Sequence, residues 1–484
     1  MPGLLTAFGI VALIFILAAL ASAIVERAPI SFPIIFLGLG FLMGDKGFGL
    51  IHIGLHDTTL ETIAILNLAF VLFLDALNFR FNEISKYWVV PVLSMGPGTL
   101  ITISLIALAA GLLLHFPIIP ALLTGAVLSS VDPVLLRDVV GDERIPYSVR
   151  ESLKTEAATS DMIVLPVLLM LVAIALGQTG TATSWLVLLA QLFILGPLAG
   201  AIVGGVAGIL MEWARSRTSI SREYRAVYGL GVLLAAYFAG NLTGGSGFLA
   251  VFAAGLVSVL MNYDVCDCFL EYGGVTTEIA MLVAFTLFGA LLSTLINTVV
   301  LLPTLAFALV TLFLARPIAI GIVLRRVVIS RPARLFMGWF GPRGLSSLLF
   351  GLLLISDGIP GSDRIMAVVG VVVIVSVVLH GVSAAPLAAR YGREVARRTY
   401  PEERESRASG LYRLEPTAVP RITPEELNIL LSSESPPIVL DVRSRSTYDR
   451  DEEQIPSSIR VLPDEISEWA FEKPKNQRII TYCT

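Results

Sequence analysis

Residues 149–177 read VRESLKTEAATSDMIVLPVLLMLVAIALG. The stretch is long and apolar enough to cross a bilayer as a helix, for which about 20 residues suffice. Yet it carries Glu156 and Asp161 within the span. A plain anchor has no reason to bury two carboxylates, so the stretch points to a bundle with a polar interior. The rest of the 484-residue chain agrees. It is 55% hydrophobic and 15% charged, with a mean hydropathy of +0.82, whereas soluble domains are about 25% charged. The surface of a soluble globule could not be covered with so few charges. A net charge of −4 gives no support to a nucleic-acid partner.

Apolar stretches on either side extend the pattern. Thirteen helices are predicted near 4–25, 30–43, 59–80, 90–114, 118–140, 149–177, 185–212, 223–240, 246–262, 276–294, 298–325, 333–355 and 364–390. The first is too long for a signal h-region, so no cleavable leader is expected. One set of loops holds Arg27, Lys86, Arg144, Arg150, Arg215, Arg217, Arg222, Arg225, Arg325, Arg326, Arg331 and Arg334, and the C-terminal flank adds Arg390, Arg393, Arg397 and Arg398. The opposite set holds Lys46 and Arg364. The positive-inside rule then places the N-terminus outside and the C-terminus in the cytoplasm of a multi-pass plasma-membrane protein. Gly196, Gly200, Gly204 and Gly208 form a stripe on the seventh span. It fits either tight internal packing or a dimer seam.

Six ionisable residues fall well inside predicted spans: Asp75, Asp132, Glu156, Asp161, Arg316 and Arg343. Each opposes insertion by roughly 2.5–3.5 kcal/mol, about 15–20 kcal/mol together before pairing. At 1.5 Å per residue, Glu156 lies roughly 10 Å and Asp161 roughly 18 Å from the basic side, and Arg316 roughly 13 Å. Glu156 and Arg316 thus share a depth and are expected to pair. Asp161 is about 140° around its helix from Glu156 and is expected to face a water-filled cavity. Two spans look broken, at Val131-Asp132-Pro133 and at Gly341-Pro342-Arg343-Gly344. Proline removes a backbone donor, and unwound backbone at membrane depth survives only inside protein or against a cavity. Asp132 is expected to offset half-helix N-terminal dipoles and Arg343 the C-terminal ones. Broken helices crossing near the midplane are the ion-site device of secondary transporters.

Taken together, these segments resemble the electroneutral branch of the monovalent cation/proton antiporters, the sodium/proton exchangers. The carrying residues are Phe73-Leu74-Asp75-Ala76-Leu77, Val131-Asp132-Pro133, Glu156 to Asp161, Ala315-Arg316-Pro317 and Gly341 to Gly344. The resemblance covers about residues 1–390. It implies an all-α fold of about 13 helices with two inverted repeats, two crossing broken helices, a homodimer, a rocking or elevator-like core and no organic cofactor. It also implies that Asp161 is the essential carboxylate, binding Na⁺ or a proton. Asp75 would be a cation ligand, Asp132 would shape the crossing, and Glu156 with Arg316 would be the structural ion pair. Ser160 stands where the family has Asn. Val131 stands where it has Thr, so only the backbone carbonyl of Val131 remains as a ligand. Ala157 replaces a hydroxyl residue. The site thus has fewer side-chain oxygens than the family pattern, which leaves K⁺ or Li⁺ open beside Na⁺. The expected function is Na⁺/H⁺ exchange by competition at Asp161, electroneutral at 1:1, with K⁺/H⁺ antiport as the alternative. From other classes, an intramembrane aspartyl protease and a non-transporting membrane receptor remain as rivals.

Residues 401–484 hold 11 Lys and Arg against 16 Asp and Glu, an acidic segment unlike the balanced residues 1–400. Residues 391–412 read as a linker. Within 413–484, Thr423 caps a helix that opens with Pro424, and Ile438 to Arg443 and Ile479 to Cys483 read as strands. The order suggests an α/β unit. Leu440-Asp441-Val442-Arg443, Ile455-Pro456-Ser457-Ser458-Ile459 and Tyr482-Cys483 resemble the start of a rhodanese-like domain. In that family a cysteine at the place of Cys483 opens an anion-binding loop, absent here, so no enzyme activity is expected of this incomplete domain. Cys266 and Cys268 are expected as a loop pair without function, and His52 and His56 as surface histidines.

Overall fold

The stretch quoted first forms one continuous helix, Tyr147–Ala175, in the computed structural model of the chain. The structure describes residues 9, 12–17, 19–20, 32–54, 57–79, 89–142, 144–218, 220–261, 265–327 and 329–397. In the tail it describes 422–432, 436–443, 448, 453–463, 465–471 and 478–482. Over 265–278 it describes the backbone alone. Most of the predicted first span, Lys86, His56 and Cys483 lie outside these residues.

In chain order the helices are α1 (Phe32–Met43), α2 (Thr58–Leu77), α3 (Val89–Leu114), α4 (Ile118–Val127), the short α5 (Arg137–Val140) and α6 (Tyr147–Ala175). There follow α7 (Ala182–Arg215), α8 (Arg222–Leu242), α9 (Gly247–Leu260), α10 (Val265–Leu295) and α11 (Leu301–Val323). The set ends with α12 (Arg331–Trp339), α13 (Leu345–Ser356) and α14 (Ser362–Arg397). Among the described residues, eight helices are long and apolar enough to cross a membrane, and four shorter apolar ones accompany them. The chain is therefore a mostly helical, multi-pass membrane protein. Helix α10 starts at Val265, eleven residues before the predicted 276, because the polar Asp267 and Glu271 masked its beginning. Cys266 and Cys268 accordingly lie on a helix and not in a loop.

Three helices widen by one π turn, at 94–98 in α3, 191–195 in α7 and 311–315 in α11. Each turn contains or directly precedes a segment with proline: Pro97, Pro197 and Pro317. The missing N–H breaks the regular ladder there, and the helix relaxes locally. The glycine stripe of α7 is internal packing. A Cβ on Gly200 would lie 1.9 Å from the Ala250 carbonyl oxygen, and one on Gly204 would lie 2.8 Å from that of Ala254. Gly200 and Gly204 thus let the backbones of α7 and α9 touch.

The buried apolar side chains fall into two large clusters. One joins α2, α4, the second half of α6, α9, α13 and the first part of α14. The other joins the start of α6, the end of α11, α12 and the last turns of α14. Between them lies a polar layer in which α4 and α12 both end. In the tail, β1 (Ile438–Asp441), β2 (Ile459–Arg460) and β3 (Ile479–Tyr482) form a parallel sheet in the order β2-β1-β3, with Leu440 opposite both Ile459 and Thr481. Helix α15 (Pro424–Leu431) precedes the sheet, capped by Thr423 and Glu426 acting reciprocally.

Candidate functional site

Neither broken span continues as a helix. After α4 the chain unwinds through Leu128 to Pro133, and after α12 it unwinds through Phe340 to Gly344. Opened backbone needs partners at this depth, and the two breaks supply them to each other. The Asp132 N–H donates to the Pro342 carbonyl at 2.9 Å. Asp132 accepts from Leu345 N–H at 2.7 Å, at the first turn of α13, and from Val134 N–H at 2.9 Å. The Arg343 Nη1 group donates to the Ser129 and Ser130 carbonyls at 2.6 and 2.7 Å, just past the end of α4. The carboxylate meets exposed N–H groups and the guanidinium meets exposed carbonyls, the polarity that helix ends favour. The crossing leaves no room for a side chain at residue 344, where a Cβ would lie 1.9 Å from Asp132 Oδ2.

Helix α6 passes behind the crossing. Asp161 is 2% exposed. It accepts from the Ser130 hydroxyl, which sits in the first break, and from Ser160 Oγ at 3.4 Å. The Ser346 hydroxyl in α13 also faces this carboxylate. Ser160 Oγ lies 3.2 Å from the Val131 N–H, whose hydrogen bond it accepts, and 3.4 Å from the Val131 carbonyl. Among the described residues, Asp161 has hydroxyl partners and no ion-pair partner. Hydroxyls and carbonyls are the hard oxygen donors that alkali ions require, and no group of three or more His, Cys, Asp and Glu is gathered among the described residues as a transition metal would need.

Glu156 points the other way. It binds Arg316 Nη1 at 2.7 Å, with both side chains buried. Arg316 follows the π turn of α11, and its other nitrogens donate to the Met337 carbonyl at 3.3 Å and the Phe340 carbonyl at 3.4 Å. Arg316 thus closes the open end of α12. A Cβ on Gly341 would lie 2.1 Å from Arg316 Nε.

Asp75, near the end of α2, is buried with one carboxylate oxygen unpartnered. It lines two adjoining cavities of about 470 and 170 Å³, together with Asn78, Pro133, Val134 and Arg137. The larger opens past Glu151 and Lys154 on the side of the basic loops, and its wall includes Ala157 and Ala158. The smaller reaches Asp132 and Ser346. Asp161 is not among the lining residues. It sits behind Ser346, which lines the smaller cavity and faces its carboxylate. Toward the opposite side the space between the described residues narrows. The voids there are about 10 Å³, walled by Leu68, Phe248, Leu349 and Leu352, and Glu61 accepts from the Ser356 hydroxyl at 2.5 Å. Sequence reasoning missed Ser130 and Ser346. Ser130 is one residue before Val131, in a break already identified, and that adjacency was the available signal.

Residues 12–390 match the family described as sodium/hydrogen exchanger, transmembrane. The K(+)/H(+) antiporter NhaP of Alkalimonas amylolytica is 26% identical over 399 residues, covering 81% of this chain and 68% of that protein. The K(+)/H(+) antiporter NhaP2 of Shewanella oneidensis is 27% identical over 385 residues, covering 78% and 65%. The Na(+)/H(+) antiporter NhaG of Bacillus atrophaeus is 24% identical over 444 residues, covering 86% and 81%. The solved structure of the sodium proton antiporter MjNhaP1 from Methanocaldococcus jannaschii shares the fold, with a TM-score of 0.67 at 21% identity over 81% of this chain and 99% of that one. The protease and receptor readings give way to these matches. A match across most of the chain, over a fold of crossing broken helices, means that the chain belongs to the transmembrane sodium/hydrogen exchanger family.

Proposed function

We propose that this chain exchanges Na⁺ for H⁺ one for one, with Asp161 taking each in turn. Cation/proton antiport is the reaction of its family. The observation that carries the local assignment is the buried Asp161 carboxylate held by hydroxyls alone, behind a cavity open to one side. With a proton on Asp161 the carboxyl is neutral. An arriving cation displaces that proton and takes oxygens from Asp161, Ser130, Ser160, the Val131 carbonyl and water. One positive charge leaves as another enters, so the cycle moves no net charge. Asp75 guides the cation through the cavity and Asp132 holds the crossing and its water. Glu156 with Arg316 braces the bundle, and Arg343 offsets the carbonyl end of α4. The cavity lies on the cytoplasmic side in this reading, which rests on the basic loops around it.

Potassium/proton exchange is the second reading. It is favoured by the K(+)/H(+) names of two relatives and by the scarcity of side-chain oxygens around Asp161. We further infer thirteen spans, an external N-terminus, a homodimer, a membrane unit over 1–390, a linker over 391–412 whose first residues, up to Arg397, continue α14, and a rhodanese-like unit over 413–484. The last is supported by the parallel β2-β1-β3 sheet and its opening helix. Proteoliposome exchange with Na⁺, K⁺ and Li⁺ across a pH series tests the assignment. Cation-dependent proton movement is expected in the wild type and none in Asp161→Asn. Retention by that variant would remove Asp161 from the centre of the mechanism, and a current that follows the membrane potential would remove the 1:1 ratio.

A further inference from the structure

Among the described residues, helix α14 makes no hydrogen bond or ion pair with Asp161, Asp132 or Asp75, yet one turn of it holds both ends of the second break. Ser376 and His380 are 0% and 2% exposed. The Arg343 N–H donates to Ser376 Oγ at 2.7 Å. Ser376 Oγ lies 3.2 Å from His380 Nδ1, which is also 2.9 Å from the Ser376 carbonyl. Across the ring, His380 Nε2–H donates to the Trp339 carbonyl at 3.0 Å. The Trp339 carbonyl can only accept, so the one proton of the neutral ring sits on Nε2; Nδ1 then accepts from the Ser376 hydroxyl, which in turn accepts from the Arg343 N–H, and the approach of Nδ1 to the Ser376 carbonyl is a contact without a hydrogen bond. The Trp339 and Phe340 rings lie 5.0 and 6.4 Å from the imidazole, and the Trp339 indole N–H donates to Ser383 Oγ at 3.0 Å. The charged groups nearby are Arg343 and Arg316.

Trp339 is the last residue of α12, and Arg343 precedes α13 by two. Between them runs Phe340-Gly341-Pro342, a loop whose Gly341 has no side chain to anchor it. Its course is set by Arg316 at the Phe340 carbonyl, by the Asp132 N–H at the Pro342 carbonyl and by what grips its two ends, Trp339 and Arg343. From Arg343 the contacts continue inward. The guanidinium holds the Ser129 and Ser130 carbonyls, and the Ser130 hydroxyl holds Asp161.

We propose that Ser376 and His380 are positioning residues for the exchange: they fix the second break so that Arg343 sets the Ser129–Ser130 backbone, and Ser130 then presents its hydroxyl to Asp161. The proposal rests on Asp161 being the exchanging carboxylate. Neither residue touches the ion, so they should act on cation affinity and leave the maximal rate nearly alone.

Proteoliposomes carrying wild type, Ser376→Ala, His380→Ala, His380→Gln and Asp161→Asn test this with a Na⁺ and a K⁺ concentration series. Ser376→Ala and His380→Ala are expected to raise the half-saturating cation concentration about tenfold, the usual cost of losing a residue that orients a ligand. The maximal rate should change less than twofold. His380→Gln keeps a donor for the Trp339 carbonyl and should recover most of the affinity. A lower melting temperature with unchanged half-saturation would reduce the pair to a structural role and overturn the proposal. Should His380→Ala not fold, Ser376→Ala decides alone, since it removes one hydroxyl. Failure of the Asp161 assignment looks different: Asp161→Asn would still exchange, and the positioning route would fall with it.

Discussion

Of the three buried carboxylates on helix α6, Glu156 and Asp161 lie little more than one turn apart, and their surroundings are opposite. Glu156 meets a guanidinium at 2.7 Å, and that guanidinium also closes the end of α12. Asp161 meets hydroxyls, with further carboxylates, Asp132 and Asp75, close enough for their charges to be felt. A buried charge paired with a buried counter-charge is committed to structure, since releasing it would strand its partner. A carboxylate held by neutral donors keeps a lone pair for whatever cation arrives. The polarity of the partner, more than depth or burial, separates the brace from the proposed ion seat.

The sharpest way to break this contrast is to neutralise each acid in turn. Asp161→Asn should abolish exchange and leave the melting temperature of the purified protein close to wild type, because no counter-charge is stranded. Glu156→Gln should do the reverse in kind. It leaves Arg316 uncompensated and should cost about 3–5 kcal/mol of stability, read from denaturation in detergent. Pairing it with Arg316→Met should recover much of that loss. Equal stability in the two single variants would erase the distinction. A smaller effect is expected at the crossing. Gly344→Ala forces a methyl against the Asp132 carboxylate and should cost about 1–3 kcal/mol, with weaker cation affinity in the same exchange assay.

The smallest effect sharpens the comparison from outside the membrane. In the tail, burial pushes the Asp441 carboxyl up, but hydrogen bonds from Arg443 outweigh this and hold it below the usual carboxylate range. A depressed value stabilises the fold fully above the ordinary carboxylate pKa of about 3.9 and loses that contribution as pH falls through the lowered value. Hydrogen exchange over residues 438–443 in the whole protein should be insensitive to charge at Asp441 between pH 7 and 5, and protection should fall only in stronger acid. Loss of protection above pH 5 would show that Arg443 does not govern this carboxylate.

Much of this architecture was legible in the residues. Long apolar runs mark spans because a bilayer demands them, and Val131-Asp132-Pro133 and Gly341-Pro342-Arg343-Gly344 mark breaks because proline and glycine cannot continue a helix there. The depth match of Glu156 and Arg316 needed only the helical rise. Other features were hidden. The start of α10 escaped because Asp267 and Glu271 dilute its hydropathy. Ser130, Ser346, Ser376 and His380 escaped because a serine or a lone histidine in an apolar run carries no signal until its neighbour is known.

From residue order alone came the membrane class, the positions of the spans and the places where helices had to break, since each follows from local hydropathy and backbone chemistry. Which acid would be paired and which left with hydroxyls was decided only when α4, α6, α11, α12 and α13 met. The glycine stripe of α7 was likewise undecided until α9 lay against it. Partners 30 to more than 200 residues apart, such as Ser130 with Asp161 or Arg343 with Ser129, are brought together by packing. Local sequence cannot specify such contacts, because hydrogen bonds depend on distance and direction in space.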